Sequence, residues 1–213
     1  MFTEFIVKIC GLKEEASLRA AIESGANAVG FMAYPKSKRF ITPEALKALL
    51  KEVPCPEMLK TGVFVNPSLE EIEAYLKAGI DIIQLHGSES RAFALQAAKL
   101  APVWKAFAPK SKKDVEEMAK YPAGRLLIDA GKSGAVKGGS GEKADWDLAA
   151  YASEALPERI ILAGGLTPEN VEEAIRKVKP AGVDVSSGVE SAPGVKSPEL
   201  IRVFVKNVCR AQF

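Results

Sequence analysis

Ile160-Ile161-Leu162-Ala163-Gly164-Gly165-Leu166-Thr167-Pro168-Glu169, read on to Gly182-Val183-Asp184-Val185-Ser186-Ser187-Gly188, is the stretch on which the fold turns. Each end is a short β-branched apolar run that stops at small residues. Between them, Thr167-Pro168-Glu169 offers an N-cap hydroxyl, a proline suited to the first helical position and an acidic first turn. The segment therefore reads as strand, loop, helix, strand. Working outward, the same unit recurs along the chain, with apolar runs at 5–9, 28–32, 59–65, 80–85, 103–107, 125–128, 160–162 and 182–185. Near-continuous apolar character is what parallel strands show when both faces are covered. Further helix starts stand at Thr42-Pro43-Glu44, Ser68-Leu69-Glu70-Glu71 and Ser197-Pro198-Glu199. Eight strand–helix pairs predict an α/β fold, a single-domain (β/α)8 TIM barrel spanning residues 1–213. An open doubly wound sheet is the alternative, but the turn after the first run, Cys10-Gly11-Leu12, lacks the Gly-x-Gly-x-x-Gly pattern of a dinucleotide site.

The composition fits an ordinary globular protein. Twenty-nine basic residues nearly balance 27 acidic ones, so no charge asymmetry calls for nucleic acid or a membrane surface. The first residues carry neither a basic region nor a long apolar run, and a cytoplasmic location is expected. Three cysteines without Cys-x-x-Cys spacing suggest neither a disulfide framework nor a cysteine metal site. Cys55 and Cys209 read as small buried hydrophobes. Five glycines between Gly131 and Lys143 indicate a loop over the barrel mouth after the sixth strand.

The chemistry-bearing residues cluster at strand ends. Gly164 and Gly165 after the seventh strand, with Ser186, Ser187 and Gly188 after the eighth, would bring backbone N–H groups and hydroxyls to an anion, and barrel enzymes often bind phosphate there. The partner expected is a small phosphorylated molecule. Cys10 ends the first strand, where a thiolate could abstract a proton if Lys8 lowers its pKa from about 8.5. Asp129 leaves the buried sixth strand for the mouth, across the ring from Cys10, and the two suit a paired acid and base. Arg39, in the basic loop after the second strand, suits a substrate carboxylate. His86, the only histidine, ends the fourth strand in Gln84-Leu85-His86-Gly87. Without a second histidine it reads as a hydrogen-bonding or substrate-contacting residue, not a metal ligand.

Taken together, Lys8-Ile9-Cys10-Gly11-Leu12, Tyr34-Pro35-Lys36-Ser37 with Arg39, Gly62-Val63-Phe64-Val65-Asn66, Gln84-Leu85-His86-Gly87, Ala163-Gly164-Gly165-Leu166 and Asp184-Val185-Ser186-Ser187-Gly188-Val189-Glu190 resemble the phosphoribosylanthranilate isomerase family. The strings run in register from the first strand to the last. Between Asp129 and Trp146 the resemblance rests on Gly138-Gly139-Ser140-Gly141 and Asp145-Trp146 alone. It implies the Amadori rearrangement of N-(5′-phosphoribosyl)anthranilate in tryptophan biosynthesis, with no cofactor and no metal. It also implies Asp129 as general acid, Cys10 as general base, Arg39 at the anthranilate carboxylate and Asp184 near the sugar. A two-substrate sugar isomerase is less similar, because that group has an aspartate where Cys10 stands and a second phosphate loop that Val65-Asn66-Pro67-Ser68 does not resemble. A non-catalytic sensor of phosphorylated ligands is the reading from another class; the pairing of Cys10 with Asp129 weighs against it. A monomer or homodimer is expected.

Overall fold

The computed structural model describes residues 5–129 and 145–212. The glycine-bearing stretch 131–143 lies outside the described residues. Eight strands, β1 (Ile6–Cys10), β2 (Ala28–Met32), β3 (Leu59–Phe64), β4 (Ile82–Leu85), β5 (Val103–Phe107), β6 (Arg125–Ile128), β7 (Ile160–Leu162) and β8 (Gly182–Val185), form a closed barrel in sequence order. β1 closes the ring by pairing in parallel with both β2 and β8. Around them run α1 (Glu15–Glu23), α2 (Pro43–Glu52), α3 (Leu69–Ala78), α4 (Arg91–Ala97), α5 (Lys112–Ala119), α6 (Trp146–Ala155), α7 (Val171–Val178) and α8 (Pro198–Gln212). None of the described helices is long and apolar enough to cross a membrane.

Five of the eight strands have the bounds read from the apolar runs. The first is shifted by one residue to include Cys10. The third ends at Phe64 and the fourth begins at Ile82, because Ile80 N–H still donates to Tyr75 O at the end of α3 and the Asp81 carboxylate accepts from Lys60 N–H. Thr42 caps α2, and Ser68 with Glu71 forms a reciprocal capping box on α3. The seventh helix starts later than Thr167-Pro168 suggests. The Asn170 carboxamide accepts from Thr167 N–H and donates to Gly165 O, which makes 167–170 a turn that ties the helix entry to the β7 loop. Between β8 and α8 the chain adds a short 3-10 turn (Ser187–Val189) and an antiparallel hairpin, β9 (Glu190–Ala192) and β10 (Val195–Lys196), that no apolar run announces.

The strand alternation builds two cores. Outward residues such as Val7, Ile9, Val29, Phe31, Ile83, Leu85, Leu126 and Ile128 pack against the helices. Inside the barrel, Ile6, Ala28, Ile82, Trp104, Ala106, Leu127 and Ile161 form a separate apolar plug. The next inward positions toward the strand C-termini are polar: Lys8 and Cys10 follow Ile6, Gln84 and His86 follow Ile82, Asp129 follows Leu127, and Asp184 follows Gly182. The period of two that fills the barrel floor therefore brings the reactive groups to its mouth. Cys55 is buried, as its reading predicts, whereas Cys209 is exposed. It follows Val208 on α8, whose buried stripe is Ile201, Phe204, Val205 and Val208.

Candidate active site

One cavity at the C-terminal end of the barrel is lined by Cys10, Arg39, His86, Asp129, Gly164, Gly165, Asp184, Ser186 and Ser187, together with Met32, Val63, Gln84, Ala163 and Leu166. Nine of the ten residues singled out from the sequence thus meet in one place. The tenth, Gly188, stands just behind the rim.

The rim after β7 and β8 is built on unusual backbone. Gly164 and Gly165 both have positive φ, 78° and 67°, a conformation that L side chains adopt at a cost. Gly188 lies so close to the β7 loop that a Cβ there would collide with the Leu166 carbonyl oxygen. Ser186 stands at the N-cap position of the 3-10 turn but does not serve as its cap. Its hydroxyl donates to Cys10 O at 3.2 Å, and Lys196 Nζ donates to its carbonyl oxygen at 2.8 Å. The serine joins β1 to the hairpin instead.

Cys10 sits beside two cations. Lys8 Nζ donates to Asp184 Oδ1 at 3.0 Å with the lysine fully excluded from solvent. The thiol is nevertheless pushed up, not down: burial raises its pKa, and Lys8 and Lys196 only partly offset that while Asp184 adds to it. The expected lowering by Lys8 is present as one contribution, but desolvation outweighs it. Lys8 itself is raised: burial works against its charge and is overcome chiefly by Asp184 and Cys10.

Across the mouth, just past the end of β6, the Asp129 carboxylate lies 3.3 Å from His86 Nε2, both partly shielded. His86 Nδ1 and Gln84 Oε1 are buried and have no hydrogen-bond partner among the described residues. Both belong to β4 and its end, and both line the cavity, so an acceptor and an imidazole nitrogen remain open to whatever fills it.

Arg39 is in the cavity wall, but most of its fork is already held. Nε donates to Glu190 Oε1 at 2.6 Å and Nη2 to Oε2 at 2.8 Å. Lys196 Nζ donates to Glu190 Oε1 at 2.8 Å and Gly194 N–H to Oε2 at 3.1 Å. Burial pushes the Glu190 carboxyl up, yet the bonds from Arg39, Lys196 and Gly194 together hold it at about 2. Lys196 is lowered by burial, with Glu190 resisting. Glu190 and Lys196 brace Arg39 from behind the cavity wall, and the sequence reading assigns neither. The only sequence signal was Glu190 at the end of the Ser186–Glu190 string; Lys196 lies in a hairpin with no apolar pattern of its own.

The sequence pattern of the family described as N-(5'phosphoribosyl)anthranilate (PRA) isomerase matches residues 7–207. A relative from Paracoccus denitrificans, an N-(5'-phosphoribosyl)anthranilate isomerase, is 47% identical over 206 residues, covering 93% of this chain and 94% of its own length. The one from Syntrophus aciditrophicus is 41% identical over 208 residues, 97% of this chain and 88% of its own. Among solved structures, the phosphoribosyl anthranilate isomerase of Thermotoga maritima superposes with a TM-score of 0.87 at 38% identity, over 96% of this chain and 98% of that one. A phosphoribosyl anthranilate isomerase in complex with reduced 1-(o-carboxyphenylamino)-1-deoxyribulose 5-phosphate gives 0.81 at 36% identity over the same shares. On a match that runs from β1 into α8, the chain belongs to the phosphoribosylanthranilate isomerase family.

Proposed function

We propose that the chain converts N-(5′-phosphoribosyl)anthranilate to 1-(2-carboxyphenylamino)-1-deoxyribulose 5-phosphate, the aldose–ketose isomerisation of tryptophan biosynthesis, by general acid–base catalysis. The observation that carries the reading is the sharing of one cavity by a thiol on β1 and a carboxylate at the end of β6, under a rim of left-handed glycines.

In this reading Asp129 donates a proton to the furanose ring oxygen. The C1′–O bond breaks and the aryl nitrogen lone pair forms a C=N⁺ iminium. Cys10, as thiolate, removes the proton from C2′, and those electrons neutralise the iminium to give an enolamine. Protonation at C1′ and loss of the C2′ hydroxyl proton yield the ketone. His86, 3.3 Å from Asp129, fixes the orientation of the acid. Gly164, Gly165, Ser187 and Gly188 hold the phosphate through backbone N–H groups and hydroxyl, so that the sugar is presented at a constant height to both groups. Asp184 faces the sugar, and Arg39, braced by Glu190, reaches the anthranilate carboxylate with what its fork leaves over. A buried thiol with a raised pKa is a strong base once ionised, so the rate of the C2′ step should climb as pH rises toward the thiol pKa.

The test is direct: freshly prepared phosphoribosylanthranilate is mixed with purified protein and loss of substrate fluorescence is followed. Turnover that is abolished by competing product analogue supports the assignment; an inert protein that still binds the analogue would favour a ligand sensor.

A further inference from the structure

Lys8 is the most unexpected occupant of the barrel interior. It is fully excluded from solvent in a strand whose flanking residues, Val7 and Ile9, are packed in the outer core. Its register partner on β8 is Asp184, which its ammonium meets at 3.0 Å. Two residues further along the same face stands Cys10, whose register partner on β2 is Gly30. A Cβ at Gly30 would lie 2.7 Å from Cys10 Sγ and 3.0 Å from Lys8 Nζ. The thiol and the ammonium therefore converge over the space that the missing side chain leaves.

We propose that Lys8 is a positioning residue whose ammonium, held by Asp184 and set beside Cys10 Sγ over Gly30, is the fixed counter-charge that allows the buried thiol to ionise. Its catalytic meaning rests on the assignment of Cys10 as proton acceptor. The electrostatic argument is simple. A thiolate in a water-poor barrel is costly without a nearby positive charge, and an opposite charge within about 4–6 Å moves a pKa by about 1–3 units. Lys8 keeps its own proton more firmly than an ordinary lysine, so it acts as a charge and not as a proton relay. The other charged groups acting on the thiol divide in sign. Asp184 on β8 opposes ionisation, and Lys196 on β10, itself paired with Glu190 and flanked by Arg39, assists it less than Lys8 does.

The experiment titrates the Cys10 thiolate by its ultraviolet absorbance in a Cys55→Ala, Cys209→Ala background, with the corresponding Cys10→Ala protein subtracted. Lys8→Met should move the ionisation midpoint upward by about one pH unit or more, and Lys8→Arg should restore most of the difference. The kcat/KM–pH profile should move in the same direction with little change in KM. Gly30→Ala keeps every charge but forces Sγ and Nζ apart, so it should also raise the midpoint, and it decides the matter alone if Lys8→Met does not fold. An unmoved midpoint in the folded variants overturns the proposal, since a lysine that merely neutralised Asp184 would leave the thiol where it is. A raised midpoint combined with full activity in Cys10→Ala would keep Lys8 as the counter-charge while removing Cys10 from the chemistry.

Discussion

Arg39 and Glu190 meet in a two-point pair, Nε to Oε1 at 2.6 Å and Nη2 to Oε2 at 2.8 Å, that ties the loop after β2 to the hairpin after β8. The pair is largely buried, at 12% and 4% side-chain exposure, and a second cation, Lys196, shares the same carboxylate. The geometry makes Glu190 the keystone of one side of the mouth. It also limits how Arg39 can swing in the cavity wall.

The acid limb of stability should carry the signature of this carboxylate. Glu190 is held at about 2, against an ordinary 4.5. Above pH 4.5 both folded and unfolded chains are ionised there and the stabilisation is complete. Between 4.5 and 2 the unfolded chain takes up the proton while the folded one does not, so stability is lost as pH falls. The drop corresponds to about 3 kcal/mol. Glu190→Gln should be less stable than the parent by about that amount at pH 7, and its urea-unfolding free energy should fall less steeply between pH 5 and 3. Parallel acid limbs for the two proteins would contradict the assignment.

Cys10→Ala and Asp129→Asn should each lower kcat by on the order of 10²–10⁴, with unfolding midpoints close to the parent, because each removes a proton-transfer group and neither removes a large core side chain. Steady-state fluorescence kinetics with circular dichroism on the same samples checks this. Undiminished turnover in either variant would strike out the role given to that residue.

Which of these features could be read from the chain alone follows from what each depends on. The strands and most of the mouth depend on local alternation, so Cys10, His86 and Asp129 are legible at strand ends in the sequence alone, whereas the site role of Asp184 is carried by the family resemblance. Lys8 was visible as a lysine inside an apolar run, although its effect on the thiol was legible only in part, since the opposing desolvation requires knowing that the barrel closes around it. The Arg39–Glu190–Lys196 cluster was not legible. It joins residues about 150 positions apart through a short hairpin whose strands have no apolar signature. The contact of Ser186 was not legible for a related reason: a serine before a turn has the local pattern of a cap, but its neighbour in space is the Cys10 carbonyl on another strand.

Gly188→Ala tests the phosphate rim. The added methyl would run into the Leu166 carbonyl, a backbone atom that can move only by shifting the whole β7 loop. Overpacking of this kind costs about 1–3 kcal/mol. The expected outcome is a lower melting temperature together with a raised KM and weaker competitive inhibition by inorganic phosphate, because the loop that shifts carries Gly164 and Gly165. A variant with unchanged phosphate inhibition would separate Gly188 from anion binding.

Lys105 and Glu89 offer the last test, on the support beneath His86. Lys105 Nζ lies 3.0 Å from Glu89 Oε2 with both side chains buried, and it also donates to Gly87 O at 2.6 Å. Glu89 in turn accepts from the N–H groups of Asn66 and Gly87, so a single carboxylate knits the ends of β3 and β4 together just where His86 leaves the sheet. Lys105→Met strands that carboxylate without its cation, and breaking a buried pair in this way costs about 3–5 kcal/mol. Beyond the global loss, the amides of Asn66 and Gly87 should exchange with solvent faster, measured by hydrogen exchange, and kcat should fall because His86 no longer holds the Asp129 carboxyl in place. Replacing both partners with apolar residues, Lys105→Met with Glu89→Leu, should recover part of the stability but not the slow exchange at Gly87, since the acceptor for its N–H is gone. Full recovery of slow exchange in the double variant would mean that the loop is held by packing and not by the carboxylate.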